Sequence, residues 1–390
     1  MTSLISRYPV TGGKQDLYAY RLGTPDQPPL NGGLMSLLTQ KDNAQGDWLL
    51  KQQRVILQSR EMNPESIDRS LRDRVIVAIE SDAGDAQFQR AQALRALGYG
   101  VYVALDPDHP IPHPLLQTAS HIGIPSTGAD LQAVSKTLRK FPAKQVAGPV
   151  NCREQFDLAQ RAGVDFVDGY YFSESMAGTA KAVNPAYTSI LGVMQLAQQN
   201  APMQKIEDAL KRDASLSFRL LRYINSAGLG LSCEISSFRH AVTIIGYQNL
   251  SRWLSLLLVS AAKEAGCPAL MSTAVVRGRL TELLGASFFD KQERDNLFIV
   301  GVFSMLDVML QMPMASILEQ IPLAETIADA LIDYQGNYGA FLELAQCCEQ
   351  LENEDPARRA VELMESLQLT ADQVNRAHLQ SLGWTEGLDL

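Results

Sequence analysis

A small group of potentially metal-ligating side chains follows the apolar run GVYVAL at residues 100–105. It consists of Asp106, Asp108, His109 and His113, and carboxylate and imidazole groups together can hold a divalent metal ion. Prolines alternate with these residues, so the group cannot share one face of a helix. We therefore interpret it as a rigid exposed loop, and we expect neither a metal ion nor another cofactor.

Other patterns lack part of what their chemistry requires. The run TGGK at Thr11–Lys14 has no glycine at the first position of a phosphate-binding loop, so it predicts a turn. The adjacent Cys347 and Cys348 lie in a helix-like run and are interpreted as packing thiols. Four arginines of the second half have two interpretations, a basic face for phosphates or ion pairs with neighbouring acids. They are Arg219, Arg222, Arg239 and Arg252.

Length and composition restrict the classes of protein. A chain of 390 residues is long enough for two to three domains. Its net charge of -9, with 46% hydrophobic and 20% charged residues, argues against disorder and against a nucleic-acid partner. Five cysteines without a paired spacing favour free thiols in a reducing compartment. We find no signal peptide, and the apolar run at 253–262 is too short to span a membrane, so we expect a cytoplasmic protein.

The pattern of the chain changes near residue 176. Before it, short β-rich runs alternate with polar stretches of helical spacing, which is typical of βα units. After it, amphipathic helices follow one another. We predict a βα domain at 1–176, a linker at 177–186 and a helical domain at 187–390. Seven strands are predicted, at 17–22, 54–58, 75–80, 100–105, 121–124, 145–150 and 164–167.

The run from Leu210 to Leu258 resembles the core of the HDOD domain, an all-helical bacterial signalling module related to HD phosphohydrolases. The resemblance implies a domain that works through protein contacts. HD hydrolases hold a metal ion with a His-Asp pair, but Leu306 occupies the histidine position and only Asp307 remains. The motif residues, which form a candidate interaction surface, are Asp213, Arg222, Asn225, Ser226, Ser236, Ser237, Arg239, Arg252 and Trp253.

The first half resembles a shortened EAL domain, the cyclic di-GMP phosphodiesterase barrel. The landmarks are GVDFVDGYYFS at 163–173 and LRALGYGVYVALD at 94–106. The resemblance implies acidic and amide metal ligands, and Ala19 stands where the glutamate of the EAL motif is expected. Further replacements at aligned positions are Val77, Pro107, Gly123, Pro125, Gly148, Asn151 and Asp168. Glu80 and Asp106 remain as candidate ligand-binding residues.

Together these patterns predict an α/β plus all-α signalling protein, in which a degenerate, shortened TIM-like βα barrel precedes an HDOD helical domain. We expect it not to be an enzyme and to act through contacts with a signalling protein that the sequence does not identify. The alternative is a sensor that binds cyclic di-GMP or another nucleotide without hydrolysing it. The third hypothesis, an active cyclic di-GMP phosphodiesterase, requires Glu80 and Asp106 to take part in metal-dependent hydrolysis.

Overall fold

Two compact units make up the chain in the computed structural model. The barrel unit comprises Met1–Glu174, Gly266–Ser272 and Leu344–Leu390, and the helical unit comprises Ser175–Ala265 and Thr273–Glu343. We call Leu344–Leu390 the C-terminal segment, because it packs with the N-terminal barrel. The structure describes residues 4–23, 53–58, 72–79, 85–106, 113–127, 130–174, 185–213, 216, 238–264, 267–320 and 323–386.

Eight strands form a closed barrel in sequence order. Strands β2 to β8 pair in parallel, whereas β1 pairs antiparallel with both β2 and β8 and so closes the barrel. The strands are β1 Ser6–Gly12, β2 Leu17–Gly23, β3 Arg54–Gln58, β4 Val75–Ile79, β5 Gly100–Ala104, β6 His121–Pro125, β7 Lys144–Gly148 and β8 Phe166–Asp168. The helices between them are α1 Asp85–Ala96, α2 His113–Thr118, α3 Leu131–Leu138 and α4 Arg153–Ala162.

The predicted βα barrel is confirmed, with one more strand than expected. The seven predicted strands correspond to β2 through β8. Strand β1 was missed because Pro9 interrupts a short, partly polar run, and proline cannot donate to a strand ladder. The expected shortening of the barrel therefore removes no strand. Gly163 ends α4 in the left-handed conformation, as its position after the helical pattern predicts.

The helical unit contains no strand among its described residues. Helix α7 is interrupted at Gly246, whose φ of 75° and ψ of 164° are not helical. The helices of this part of the chain are α5 Pro185–Gln198, α6 Met203–Arg212, α7 Phe238–Glu264, α8 Pro268–Leu284, α9 Lys291–Phe303, α10 Leu306–Leu310, α11 Met314–Gln320 and α12 Glu325–Asp333.

The chain passes from the helical unit into the C-terminal segment within α13 Gly336–Cys347, and α14 Glu354–Ser366 and α15 Ala371–Glu386 follow. Most of the predicted linker at 177–186 lies outside the described residues, so the single domain boundary placed there stays a prediction. Cys347 and Cys348 are buried, as expected for packing thiols. Within the described ranges, no helix combines the length and the apolar character needed to cross a bilayer. A cytoplasmic location stays a prediction.

Candidate functional site

The barrel interior is filled in layers, and aromatic side chains close its amino-terminal end. Tyr18 stacks on Phe166 with ring centroids 3.8 Å apart, and the Tyr18 hydroxyl lies 2.8 Å from His121 Nε2. Ser120 Oγ lies 2.8 Å from His121 Nδ1. Because burial disfavours the imidazolium and Arg54 lies nearby, the pKa of His121 is lowered to about 4. Ligands of βα barrels bind at the opposite end, so this layer contributes stability.

The middle layer is an apolar core. It contains Ala19, which is fully buried, together with Ile56 and Ile76 on the neighbouring strands. The Tyr102 ring also packs here, and a Cβ atom on Gly123 would lie 2.0 Å from its hydroxyl oxygen. Glycine at position 123 therefore provides the space that Tyr102 fills. This layer surrounds the position expected for the catalytic glutamate with side chains that pack but do not bind ions.

Charged groups gather at the carboxyl-terminal end of the parallel strands. Arg21 of β2 donates from Nε to Asp168 Oδ2 of β8 at 2.5 Å. Its terminal nitrogens donate to both carboxylate oxygens of Glu352 in the C-terminal segment. The Arg21 guanidinium lies 4.4 Å from the ring centroid of Tyr8, whose hydroxyl accepts the backbone N–H of Glu352 at 3.2 Å. We call Tyr8, Arg21, Asp168 and Glu352 the mouth cluster.

The mouth cluster sets one cation against two carboxyl groups. Burial opposes the charge on Arg21, but Asp168 and Glu352 outweigh it and hold the pKa of Arg21 above its ordinary value. Burial raises the pKa of Asp168, although Arg21 acts in the opposite direction. The Oδ1 atom of Asp168 is buried and meets no hydrogen-bond donor among the described residues. The cluster therefore contains a permanent cation and an unused buried acceptor.

Backbone packing holds Asp168 in place. The residue that follows it, Gly169, has φ of 140°, and a Cβ atom there would lie 2.3 Å from the carbonyl oxygen of Val150. Only glycine tolerates both the backbone conformation and this approach. In addition, the Val150 N–H donates to the Asp168 carbonyl at 2.8 Å. The Asp168 carboxylate is thus a rigid partner for Arg21.

A second ion pair ties the C-terminal segment to β1. Arg7 Nη2 donates to Glu349 Oε1 at 3.0 Å, and both side chains are buried. The Tyr170 hydroxyl donates to the Arg7 carbonyl at 2.7 Å. The backbone N–H of Ile5 donates to Asn375 Oδ1 at 2.8 Å. Glu352 therefore approaches Arg21 on a segment that is already held against the barrel.

The two acids predicted to bind a ligand are only partly visible. Asp106 follows β5 in an isolated bridge and is half-buried. Glu80 lies outside the described residues, as do Asp108 and His109 of the proline-rich loop. Ligand binding by Glu80 and Asp106 stays a prediction.

The structure describes four of the nine residues of the predicted HDOD surface, Asp213, Arg239, Arg252 and Trp253. Asp213 follows α6, and its Oδ1 accepts the N–H of Leu216 at 2.9 Å, in agreement with a capping role. Arg239 lies in α7, and Trp253 is buried in the same helix. An interaction surface stays a prediction. The residues of this set that lie outside the described ranges are Arg222, Asn225, Ser226, Ser236 and Ser237.

Arg252 is ion-paired inside the helical unit. It donates to both oxygens of Glu282, at 3.0 and 2.7 Å, and to Asp295 at 3.1 Å. Its guanidinium also lies 4.1 Å from the ring centroid of Phe298. Of the two interpretations of the arginines, the contacts of Arg252 favour ion pairing over a basic face for phosphates.

The described residues do not fit the metal ions that an EAL or HD site implies. No group of three or more His, Cys, Asp or Glu side chains in this part of the chain is placed to hold a metal ion. In the barrel, Ala19, Gly123 and Gly148 offer no side-chain ligand atoms at the aligned positions. In the helical unit, Asp307 has no histidine beside it in sequence. We derive no reaction step through a metal ion.

Three members of the mouth cluster were not singled out from the sequence. Arg21 had a usable signal, since it lies two residues after Ala19 on the same face of a predicted strand, and buried charges are rare unless paired. Tyr8 lies in the strand that was missed. Glu352 had no local signal, because it is 331 residues from Arg21. Asp168 was noted only as the replacement of a glutamine.

Comparison with known proteins identifies one domain and two relatives. Residues 183–331 match the HDOD domain. The chain is 26% identical over 252 residues to the Vibrio cholerae protein "Cyclic di-GMP phosphodiesterase CdgJ", covering 64% of this chain and 56% of that protein. It is 24% identical over 247 residues to the Bacillus subtilis protein YuxH, covering 62% and 59% respectively. The chain therefore spans a little over half the length of these relatives.

Two solved structures whose titles name a phosphodiesterase or an EAL protein match less than half of this chain. "PaMucR Phosphodiesterase, c-di-GMP complex" shares 14% identity at a TM-score of 0.33, covering 44% of this chain and 90% of that one. The Vibrio cholerae structure "LapD S helix-GGDEF-EAL (apo)" shares 9% identity at a TM-score of 0.34, covering 43% and 53%.

A closed βα barrel joined to an HDOD domain defines the class of this molecule. Residues 183–331 form an HDOD domain, and the chain is related to the Vibrio cholerae protein CdgJ, which is a cyclic di-GMP phosphodiesterase. The resemblance noted in the sequence is thus confirmed.

The prediction that the chain is not an enzyme is contradicted. A relative that matches over 252 residues is a cyclic di-GMP phosphodiesterase, which points to an enzyme class. The prediction inferred inactivity from aligned positions taken one strand at a time. Such an alignment could not see that the polar groups at the carboxyl-terminal end include Arg21 and Glu352, which come from opposite ends of the chain.

Proposed function

We propose that this protein takes part in cyclic di-GMP signalling and that its barrel binds cyclic di-GMP at the carboxyl-terminal end of the strands. The observation that carries the proposal is the position of Arg21, a cation in the barrel interior at that end. Ligands of βα barrels bind at this face. The relationship to CdgJ supplies the identity of the ligand.

The mouth cluster has the groups that a phosphodiester ligand requires. Arg21 presents a planar guanidinium, which matches the paired oxygens of a phosphate. The fixed carboxylate of Asp168 accepts a hydrogen bond from this guanidinium and balances its charge. The unused Oδ1 acceptor of Asp168 suits an N–H donor such as the edge of a guanine base. In this arrangement Arg21 binds a phosphate and Asp168 orients both the arginine and the ligand.

Calorimetric titration of the full-length protein with cyclic di-GMP tests the proposal. The titration is run with magnesium and with manganese, and the same samples are analysed for linear dinucleotide product. We expect saturable heat, and the product analysis measures turnover of the bound ligand. The proposal is overturned if neither heat nor product is found with either metal ion, for this protein and for its Glu352→Gln variant alike.

Two arginine variants locate the site. In Arg21→Gln the cation of the mouth cluster is removed, and we expect binding to be lost. Arg358→Gln removes an exposed arginine of the same unit, whose partner Asp355 is also exposed, and should bind like the natural sequence. Circular dichroism of both variants controls for folding. Equal loss of binding in both would place the ligand elsewhere.

A further inference from the structure

The two carboxylates on Arg21 differ in how firmly they are held. The Asp168 side chain is about 5% exposed and belongs to a strand, whereas the Glu352 side chain is about 37% exposed and lies in the turn between α13 and α14. Rotation of the Glu352 side chain releases Arg21 without moving the backbone of the segment. The Asp168 side chain is buried, so it has little room to rotate away from Arg21. Glu352 is therefore the exchangeable partner.

Charge balance favours exchange over addition. When both carboxylates are ionised, the mouth cluster carries one positive and two negative charges. A phosphodiester that entered beside Glu352 would add a further negative charge within a few ångströms, and like charges at that distance repel. A phosphodiester that takes the place of the Glu352 carboxylate leaves the charge unchanged and accepts the same donors of Arg21.

We propose that Glu352 is an internal competitor for the phosphate subsite formed by Arg21, so that the C-terminal segment inhibits ligand binding at the barrel mouth. This inference rests on the proposed function and adds its regulation. Binding of a phosphodiester and release of the Glu352 carboxylate are then one coupled step. Any event that pulls the C-terminal segment away from the barrel would raise ligand affinity by the same linkage.

The anchoring of the segment explains why the competitor is effective. Glu349, three positions before Glu352, pairs with buried Arg7, and Leu351 is buried beside it. The Glu352 N–H is also held by the Tyr8 hydroxyl. These contacts keep the carboxylate close to Arg21 at a high effective concentration.

The test is calorimetry of cyclic di-GMP with Glu352→Gln and with the matched control Glu354→Gln. Glutamine keeps the shape of Glu352 but removes its charge, so we expect cyclic di-GMP to bind about fivefold or more tightly than to the natural sequence. Glu354 is exposed at the start of α14, and its variant should bind unchanged. Glu352→Asp, which keeps the charge, should retain inhibition or weaken it only in part.

The outcomes separate this inference from the proposed function. If the natural protein binds cyclic di-GMP and Glu352→Gln binds with the same affinity, the inference is overturned and the proposed function stands. If only Glu352→Gln binds, both are supported. If neither binds, the proposed function fails, and titration of Glu352→Gln with inorganic pyrophosphate decides the subsite. Binding of pyrophosphate by Glu352→Gln but not by Glu354→Gln would support the inference that Glu352 competes for the Arg21 subsite. No binding of pyrophosphate by Glu352→Gln would overturn that inference.

Discussion

Replacement of Glu349 should destabilise the barrel unit far more than replacement of an exposed acidic residue. Glu349 is the ion-pair partner of Arg7, whose side chain is about 1% exposed. In Glu349→Ala, the Arg7 guanidinium keeps the hydrogen bond from Nε to the Tyr170 hydroxyl, at 3.3 Å, but loses its carboxylate partner. Breaking a buried pair by deleting one partner costs about 3–5 kcal/mol, since the remaining charge stays out of water. We expect the free energy of unfolding to fall by that amount.

Urea denaturation followed by tryptophan fluorescence measures this effect. The chain has three tryptophans, Trp48, Trp253 and Trp384, of which only Trp253 belongs to the helical unit. A Trp253→Phe background therefore confines the signal to the barrel unit. The variant Asp355→Ala, which breaks the exposed pair with Arg358, serves as the control and should cost less than about 1 kcal/mol.

A double replacement distinguishes the destabilisation caused by a buried unpaired charge from that caused by lost packing. Arg7→Met combined with Glu349→Met replaces both charges by apolar chains of similar length, and such replacements are often neutral or stabilising. We expect the double variant to be more stable than Glu349→Ala. If Glu349→Ala cost no more than Asp355→Ala, the C-terminal segment would not be held by this pair, and the reasoning would be refuted.

Three further changes have defined outcomes. The folded-state pKa of His121 is about 4 against 6.5 unfolded, so about 3 kcal/mol of stability present above pH 6.5 is lost as the pH falls to about 4, and His121→Gln should flatten this dependence. Arg252→Met removes the cation beside buried Asp295 and leaves Glu282 with Arg279 alone, so it should cost about 3–5 kcal/mol, against less than about 1 kcal/mol for exposed Arg359→Met. Gly301→Ala places a Cβ atom 2.2 Å from Thr281 Oγ1 and should destabilise by about 1–3 kcal/mol, whereas Gly192→Ala, with open space, should stabilise by about 1 kcal/mol.

Denaturation curves check each of these changes, and each has a contradicting result. An unchanged pH profile in the His121 variant would show that another group carries the acid sensitivity. Equal costs for the two arginine variants would show that Arg252 is effectively solvated. A neutral or stabilising Gly301→Ala would mean that α8 and α9 separate at little cost.

The strands of the barrel could be predicted because their signal is local. Runs such as VIVAI at Val75–Ile79 are apolar, β-branched and bounded by polar residues. Six or seven neighbouring residues suffice to show this pattern. Strand β1 lacked it, since SRYPVTG mixes polar residues with a proline. Its strand conformation follows from pairing with β2, the next strand along the chain, and with β8, which is distant in sequence.

The HDOD resemblance was likewise visible because motif residues lie close together along the chain, within Leu210–Leu258. The candidate site was less accessible. Alignment placed the important β2 position at Ala19, which lies in the apolar layer, while Arg21 two residues later carries the charge. Which side chain of a strand reaches the carboxyl-terminal end of the barrel depends on the position of each residue along the barrel axis. That position depends on strand register.

The sequence by itself determined the class of this protein: alternating βα units, a helical second half and the motifs of two signalling domains. Only the tertiary structure decided which charges meet. Arg21 pairs with Asp168 and Glu352, and Arg7 pairs with Glu349, across separations of 147 to 342 residues. Periodicity reports which face of an element is buried, but a buried charge is tolerated only beside its partner. The tertiary fold determines which residue becomes that partner.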